Sequence, residues 1–158
     1  MPLGAIPLNR LAVRLDRGWI ESHIPHQGRM CLLEEVLSWD ADRISCRAAS
    51  HRSADNPLRA HGRLGAAIGV EYAAQAMAVH GAIIAAAAGT PARAGLLTSV
   101  RNLVLLTARL DDLETDLIAS AERLAGDEGS TLYEFTVSSA GRELLSGRAG
   151  IVFAAERS

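Results

Sequence analysis

The 158-residue sequence predicts an α+β fold in which one long central helix is wrapped by a curved antiparallel sheet. Three observations carry that prediction. Residues 64–88, LGAAIGVEYAAQAMAVHGAIIAAAA, form one unbroken alanine-rich run that Gly89-Thr90-Pro91 stops, since Gly ends helices well and Pro cannot continue one. No second run of that kind follows. Instead, residues 94–106, 115–124, 131–139 and 143–155 read as strands, set apart in part by the turn signals GDEGS (126–130) and Ala140-Gly141. A further strand, DRISCRAA (42–49), precedes the helix. One helix cannot bury its apolar surface alone, whereas a curved sheet around it can. The abundant Ala and Gly let helix and sheet backbones approach closely. This is the hotdog arrangement, and the whole chain, 1–158, reads as one such domain.

Taken in order, residues 10–22 are expected to form a short helix or N-terminal extension ending before His23-Ile24-Pro25. MCLLEEVLSWD (30–40) is apolar and fits either helix or strand. The polar loop SHRSADNPLRAHGR (50–63) then leads into the long helix. Residues 64–89 are long enough to cross a bilayer, but Glu71, Gln75 and His80 interrupt them, so a buried soluble helix is expected. Composition narrows the function classes. The chain is 49% apolar with a formal charge of −2, which favours neither disorder nor nucleic-acid binding. All basic residues are Arg. Cys31 and Cys46 lack metal or redox spacing and read as buried thiols of a reducing, cytoplasmic compartment. No signal-peptide h-region is present.

Chemistry concentrates around Glu71, a carboxylate in the first turns of an otherwise apolar helix. A Glu there can simply be a solvated residue favoured by the helix dipole. Its apolar neighbours leave little solvent-facing surface, so burial is expected to favour the neutral acid. Gln75, at i+4, shares its face and could orient it. His80 lies nine residues on, on the opposite side of the helix, and reads as a core or dimer-contact residue. His23 and His26 have a His-x-x-His spacing but no third ligand nearby, so no metal is expected. Arg59 and Arg63 read either as solvated loop charges or as contacts for an anionic partner.

Three segments resemble the FabZ/FabA-type 3-hydroxyacyl-[acyl-carrier-protein] dehydratases: IPHQGRMCLLEEV (24–36), EYAAQ (71–75) and SVRNLVLLTARLDDLETDL (99–117). The likeness runs over about residues 20–155, and the chain is most similar to the stand-alone branch associated with aryl polyene and polyketide-type clusters. The resemblance implies double-hotdog dimers with active sites at the subunit interface, reached by the phosphopantetheine arm of an acyl carrier protein, without another cofactor. It implies elimination of water from a 3-hydroxyacyl thioester to a trans-2-enoyl thioester, with a His and a carboxylate from opposite subunits. Glu71 matches the carboxylate. The family's His lies fourteen residues earlier, which is Pro57 here, next to Asn56, and neither is a base. His61 is the candidate displaced base, with Asn56, Arg59, Gly65 and Gln75 as expected substrate contacts. Three readings follow: an active dehydratase using Glu71 and His61, a weakened subunit that completes a heterodimer with another hotdog chain, or a hotdog thioesterase.

Overall fold

The computed structural model describes residues 15–154. Helix α1 (Arg17–His23) opens on Asp16, whose carboxylate accepts the Trp19 N–H at 3.1 Å and so caps one orphan donor. The earlier part of the helix expected over 10–22 lies outside the described residues. The ambiguous segment resolves as strand β1 (Glu35–Trp39), because it pairs antiparallel with β2 (Arg43–Ala48) across a two-residue turn-like reversal capped by Asp40. The long helix, α2 (Gly69–Ala88), is preceded by a 3-10 turn over Ala66–Ile68 and ends on Gly89 in the left-handed conformation, φ 69°. Strands β3 (Gly95–Leu105), β4 (Leu117–Gly126), β5 (Ser130–Ser139) and β6 (Arg142–Phe153) complete the chain within a few residues of the predicted bounds.

All six strands pair antiparallel in the order β1-β2-β4-β5-β6-β3. Their inward residues alternate with outward ones, as a half-buried sheet requires. Ile44, Cys46, Leu117, Ala119, Phe135, Val137, Leu145 and Ala149 face the helix and are buried. Small residues set the helix-to-sheet spacing. A Cβ at Gly69 would fall 2.5 Å from Leu145 Cδ2, so the first turn of α2 lies directly on β6. The span Ala66–Ala88 has the length and hydropathy of a membrane helix, yet 56% of its most apolar window is buried inside the fold. It is the core helix.

Among the described residues, β3 has β6 on one side and no strand on the other. Register places Leu97 opposite Ile151 and Leu105 opposite Leu145, on the face turned toward the helix. Even so, Leu97 is 39% exposed and Leu105 46% exposed, because α2 does not reach that far across the sheet. The helix is matched in this: Glu71, Gly81 and Ala88 are exposed along one side, with Ala74, Ala78 and Ala85 half-buried between them.

His80 bears out the expectation of a core residue. It is 1% exposed, with Nε2 at 2.8 Å from the Asp40 carbonyl and Nδ1 at 2.7 Å from the Tyr133 hydroxyl. A carbonyl only accepts, so Nε2 carries the proton and Nδ1 accepts from Tyr133. Burial holds the imidazole's pKa below its ordinary value, and burial likewise lowers that of His51, whose Nε2 meets the Leu113 carbonyl at 3.1 Å. Above about pH 6.5 both imidazoles are neutral in folded and unfolded chains, and they contribute no pH dependence. As pH falls below that value the unfolded chain takes up protons that the folded chain refuses, so stability is lost. The thermal unfolding midpoint is therefore expected to hold steady from pH 8 to 7 and to drop between pH 6.5 and 5. Its slope in that window should shrink in His80→Gln, and an unchanged slope there would exclude His80 as a source.

Candidate functional site

The loop leading to α2 is built around a buried polar network. Ser50 Oγ donates to the Leu32 carbonyl at 2.8 Å and lies 2.9 Å from Tyr72 Oη. Asn56 Nδ2 donates to the Ser50 carbonyl at 2.9 Å and to Tyr72 Oη at 3.1 Å, while its Oδ1 accepts the Leu58 N–H at 2.9 Å. Gln75 Nε2 donates to the Met30 carbonyl at 2.6 Å, and Oε1 accepts the Leu32 N–H at 2.8 Å. Segment 30–32, loop 50–58 and the first turns of α2 are thus tied by side chains whose polar atoms are satisfied. Each buried donor left without its partner would cost about 1–3 kcal/mol, which makes the arrangement rigid.

This network revises several expectations. Gln75 does not orient Glu71; its amide is turned inward and holds the 30–32 backbone. Asn56 is 6% exposed, and its amide group is engaged within the fold, as the lock of a tight loop. Arg59 spends its guanidinium on three carbonyls of the same loop, those of Ser53 (2.8 Å), Gly62 (2.9 Å) and His51 (3.3 Å). Gly65 is exposed, and its backbone bridges to Arg109 just before the turn that starts α2. His61 stands exposed at the tip of the Ala60–Arg63 turn with φ 53°, and no ion pair joins it to Glu71 within the chain. Arg63 is exposed beside it.

Glu71 is where the largest correction falls. It sits in the first turn of α2 as expected, but it is exposed on this chain. Its near neighbours on that side, Ala74 and Ala78, are only half-buried, so the apolar cover expected from the sequence is not supplied by this subunit.

One positioning group escaped the sequence reading. Asp111, on the loop between β3 and β4, has a side chain only 5% exposed and accepts the Leu64 N–H at 2.8 Å. Arg109 pairs with it through both its Nε, at 3.0 Å, and its Nη2, and Arg59 lies 3.8 Å away. The Arg109 hydrogen bonds hold its carboxyl well below the usual carboxylate range. Asp111 therefore pins the approach to α2 against the β3–β4 loop. Its only sequence signal is an Asp-Asp pair in a turn. His23, of the His-x-x-His, stacks on Trp19 at 3.8 Å and meets the Trp19 carbonyl through Nδ1 at 2.7 Å. Among the described residues no three His, Cys, Asp or Glu side chains are grouped to hold a metal ion.

A six-stranded antiparallel sheet wrapped on one helix, with a carboxylate at the helix start and an open apolar edge, defines a hotdog-fold protein. Solved structures agree on the fold. The dehydratase heterocomplex ApeI:P from Xenorhabdus doucetiae superposes with a TM-score of 0.78 at 22% identity, over 87% of this chain and 91% of that one. Zebrafish thioesterase superfamily member 2 gives a TM-score of 0.62 at 15% identity, over 95% and 100%. A thioesterase from Streptococcus pneumoniae, solved with coenzyme A, gives 0.52 at 12% identity, over 78% and 88%. No curated protein matches the sequence significantly. The sequence profile of the ApeP dehydratases matches residues 19–156, and the chain belongs to that ApeP-like family.

Proposed function

We propose that this chain is the carboxylate-bearing subunit of a 3-hydroxyacyl thioester dehydratase, completed in the cytoplasm by a second hotdog subunit that supplies the base. One observation carries the reading: Glu71 is exposed at the start of α2, and His61, on the loop before it, makes no ion pair with it within the chain. Family membership and the ApeI:P likeness support it. The substrate would arrive on the phosphopantetheine arm of an acyl carrier protein, with exposed Arg63 near the helix start available to its anionic surface.

In the reaction the partner's base takes the proton from C2, whose acidity the thioester carbonyl raises. The C3–O bond breaks as Glu71 gives its proton to the departing oxygen, and water leaves from a trans-2-enoyl thioester. Burial of Glu71 by the partner would supply the water-excluded setting in which proton transfer to a poor leaving group is effective.

The test is hydration of a crotonyl thioester by the pure chain and by the chain co-purified with its partner hotdog subunit. The expected result is no turnover alone and clear turnover in the complex. Turnover by the pure chain that His61→Ala abolishes would replace this reading with a homodimer using His61 as base. Turnover that survives Glu71→Gln would remove Glu71 from either reading.

A further inference from the structure

The outer face of the sheet, turned away from α2, carries a row of charge that crosses five strands. In register, Arg43 of β2 stands opposite Glu122 of β4, and Glu122 opposite Glu134 of β5. Glu134 in turn stands opposite Arg148 of β6, and Arg148 opposite Arg101 of β3. Their chain neighbours Ile44, Ala121, Phe135 and Ala149 are buried against the helix, so the charged side chains point outward, and all five residues are exposed. Two links in the row join opposite signs: Arg43 meets Glu122 at 3.5 Å and Arg148 meets Glu134 at 3.8 Å. Between exposed groups such pairs contribute little. The other two links set like charges directly opposite one another, which destabilises a sheet. Among the described residues Arg101 makes no ion pair at all. The row from β4 to β3 thus reads acid, acid, base, base.

That order is complementary to itself. Turned about a twofold axis running along the strands between β5 and β6, acid-acid-base-base becomes base-base-acid-acid. Glu134 then faces Arg148 of a second copy, Glu122 faces its Arg101, and the reciprocal contacts follow by symmetry. Neighbouring strands are about 4.8 Å apart, so the four charges span about 14 Å, wide enough to fix one register. The rows on either side allow a close approach. On one side Ser45, Ser120, Thr136 and Ser146 oppose one another in register, and all are short. On the other, Ala125, Leu132 and Gly150 do so and line a hollow of about 420 Å³. The same axis sets Leu132 against Gly150 of the second copy. A neighbour paired at the β3 edge extends the sheet sideways and leaves this face free.

We propose that two assembled proteins stack through the outer faces of this chain's sheets about that twofold axis, held by Glu134–Arg148 and Glu122–Arg101 pairs between the copies. A contact made mainly by exposed charges is weak and salt-sensitive. Stacking therefore sets in at higher concentration than pairing at the β3 edge, and it joins units that are already assembled. It also does not depend on the chemistry at Glu71, which lies on the other side of the sheet.

The experiment is sedimentation velocity on the assembled protein over a range of concentrations. The wild type is expected to show reversible pairing of two assemblies in about 0.02 M salt and to lose it in about 1 M, where charges are screened within about 3 Å. Glu134→Arg and Arg148→Glu each set like charges across the axis, and each is expected to weaken the pairing about tenfold. Mixed in equal amounts, the two variants are expected to pair as strongly as the wild type, because each offers the sign that the other lacks. Both positions are exposed, and circular dichroism checks that each variant keeps its fold. Rescue by mixing has no explanation in a damaged fold. A wild type that does not pair in low salt, or whose pairing salt leaves unchanged, overturns the proposal. So does a single variant that pairs as well as the wild type, or a mixture no stronger than its components.

Discussion

Glu71→Gln in the assembled protein is expected to lower kcat for enoyl thioester hydration by about 10²–10⁴-fold, the span that a positioned general acid contributes, with KM changed little. Gln matches Glu in size and still hydrogen-bonds, but it holds no transferable proton. The loss should therefore be in the chemical step and not in binding. Glu71 lies in the first turn of α2 and is exposed on this chain, so its replacement leaves the core of the subunit untouched and the unfolding midpoint should shift by less than that of any core variant. The combination is diagnostic: a folded, assembled protein with unchanged KM and collapsed kcat. A kcat within threefold of wild type would show that another group delivers the proton.

How much of this could be read from residues alone depended on whether the signal was local. Helix α2 was legible because a long alanine-rich run and its Gly-Thr-Pro stop are both local signals; β2, β4 and β5 were legible because they alternate, and β3 because it is rich in β-branched and Leu residues. Strand β1 was not, since MCLLEEVLSWD is apolar at both the helical and the strand period. What decides it is pairing with β2, including a register shift between Val36 and Ser38 that no local pattern announces. At the site, Glu71 was legible as a charge out of place. Its neighbours misled in two ways. Spacing of i and i+4 puts Gln75 near Glu71 but does not say where an amide points, and its partners, Met30 and Leu32, are more than forty residues away in sequence. Asn56 and Arg59 look like polar groups offered to a ligand, and they are consumed within the fold, by carbonyls of their own loop and, for Asn56, by the Tyr72 hydroxyl and the Leu58 N–H. The exposure of Glu71 was misread for a different reason. Apolar neighbours were taken to imply burial within one chain, whereas Glu71 is exposed on it.

The β3 edge carries the other large expected effect. Strand β3 is eleven residues long, contains no Pro and holds one charge, Arg101. Two register irregularities, between Leu97 and Ser99 and between Arg101 and Val104, bend it, but its long apolar stretches remain open to pairing with another strand. Its helix-facing residues Leu97 and Leu105 are apolar and part exposed, with the character of a core cut in half. Replacing both with Asp would place two carboxylates where a partner must desolvate them, at a cost of several kcal/mol. The expected outcome is a monomer by sedimentation equilibrium at concentrations where the wild type is dimeric, with strand and helix content retained by circular dichroism. Leu96→Asp provides the control. Leu96 is 72% exposed, pairs with Val152 and points to the other face of the sheet, so it should leave the assembly intact. If the double variant still assembles, subunits do not meet through β3, and Glu71 has no partner on that side to cover it. If both variants fall apart alike, the edge pairs by its backbone alone and the inner face contributes nothing. Only loss confined to the inner-face variant fits a chain whose sheet, helix and catalytic carboxylate are all completed by the same neighbour.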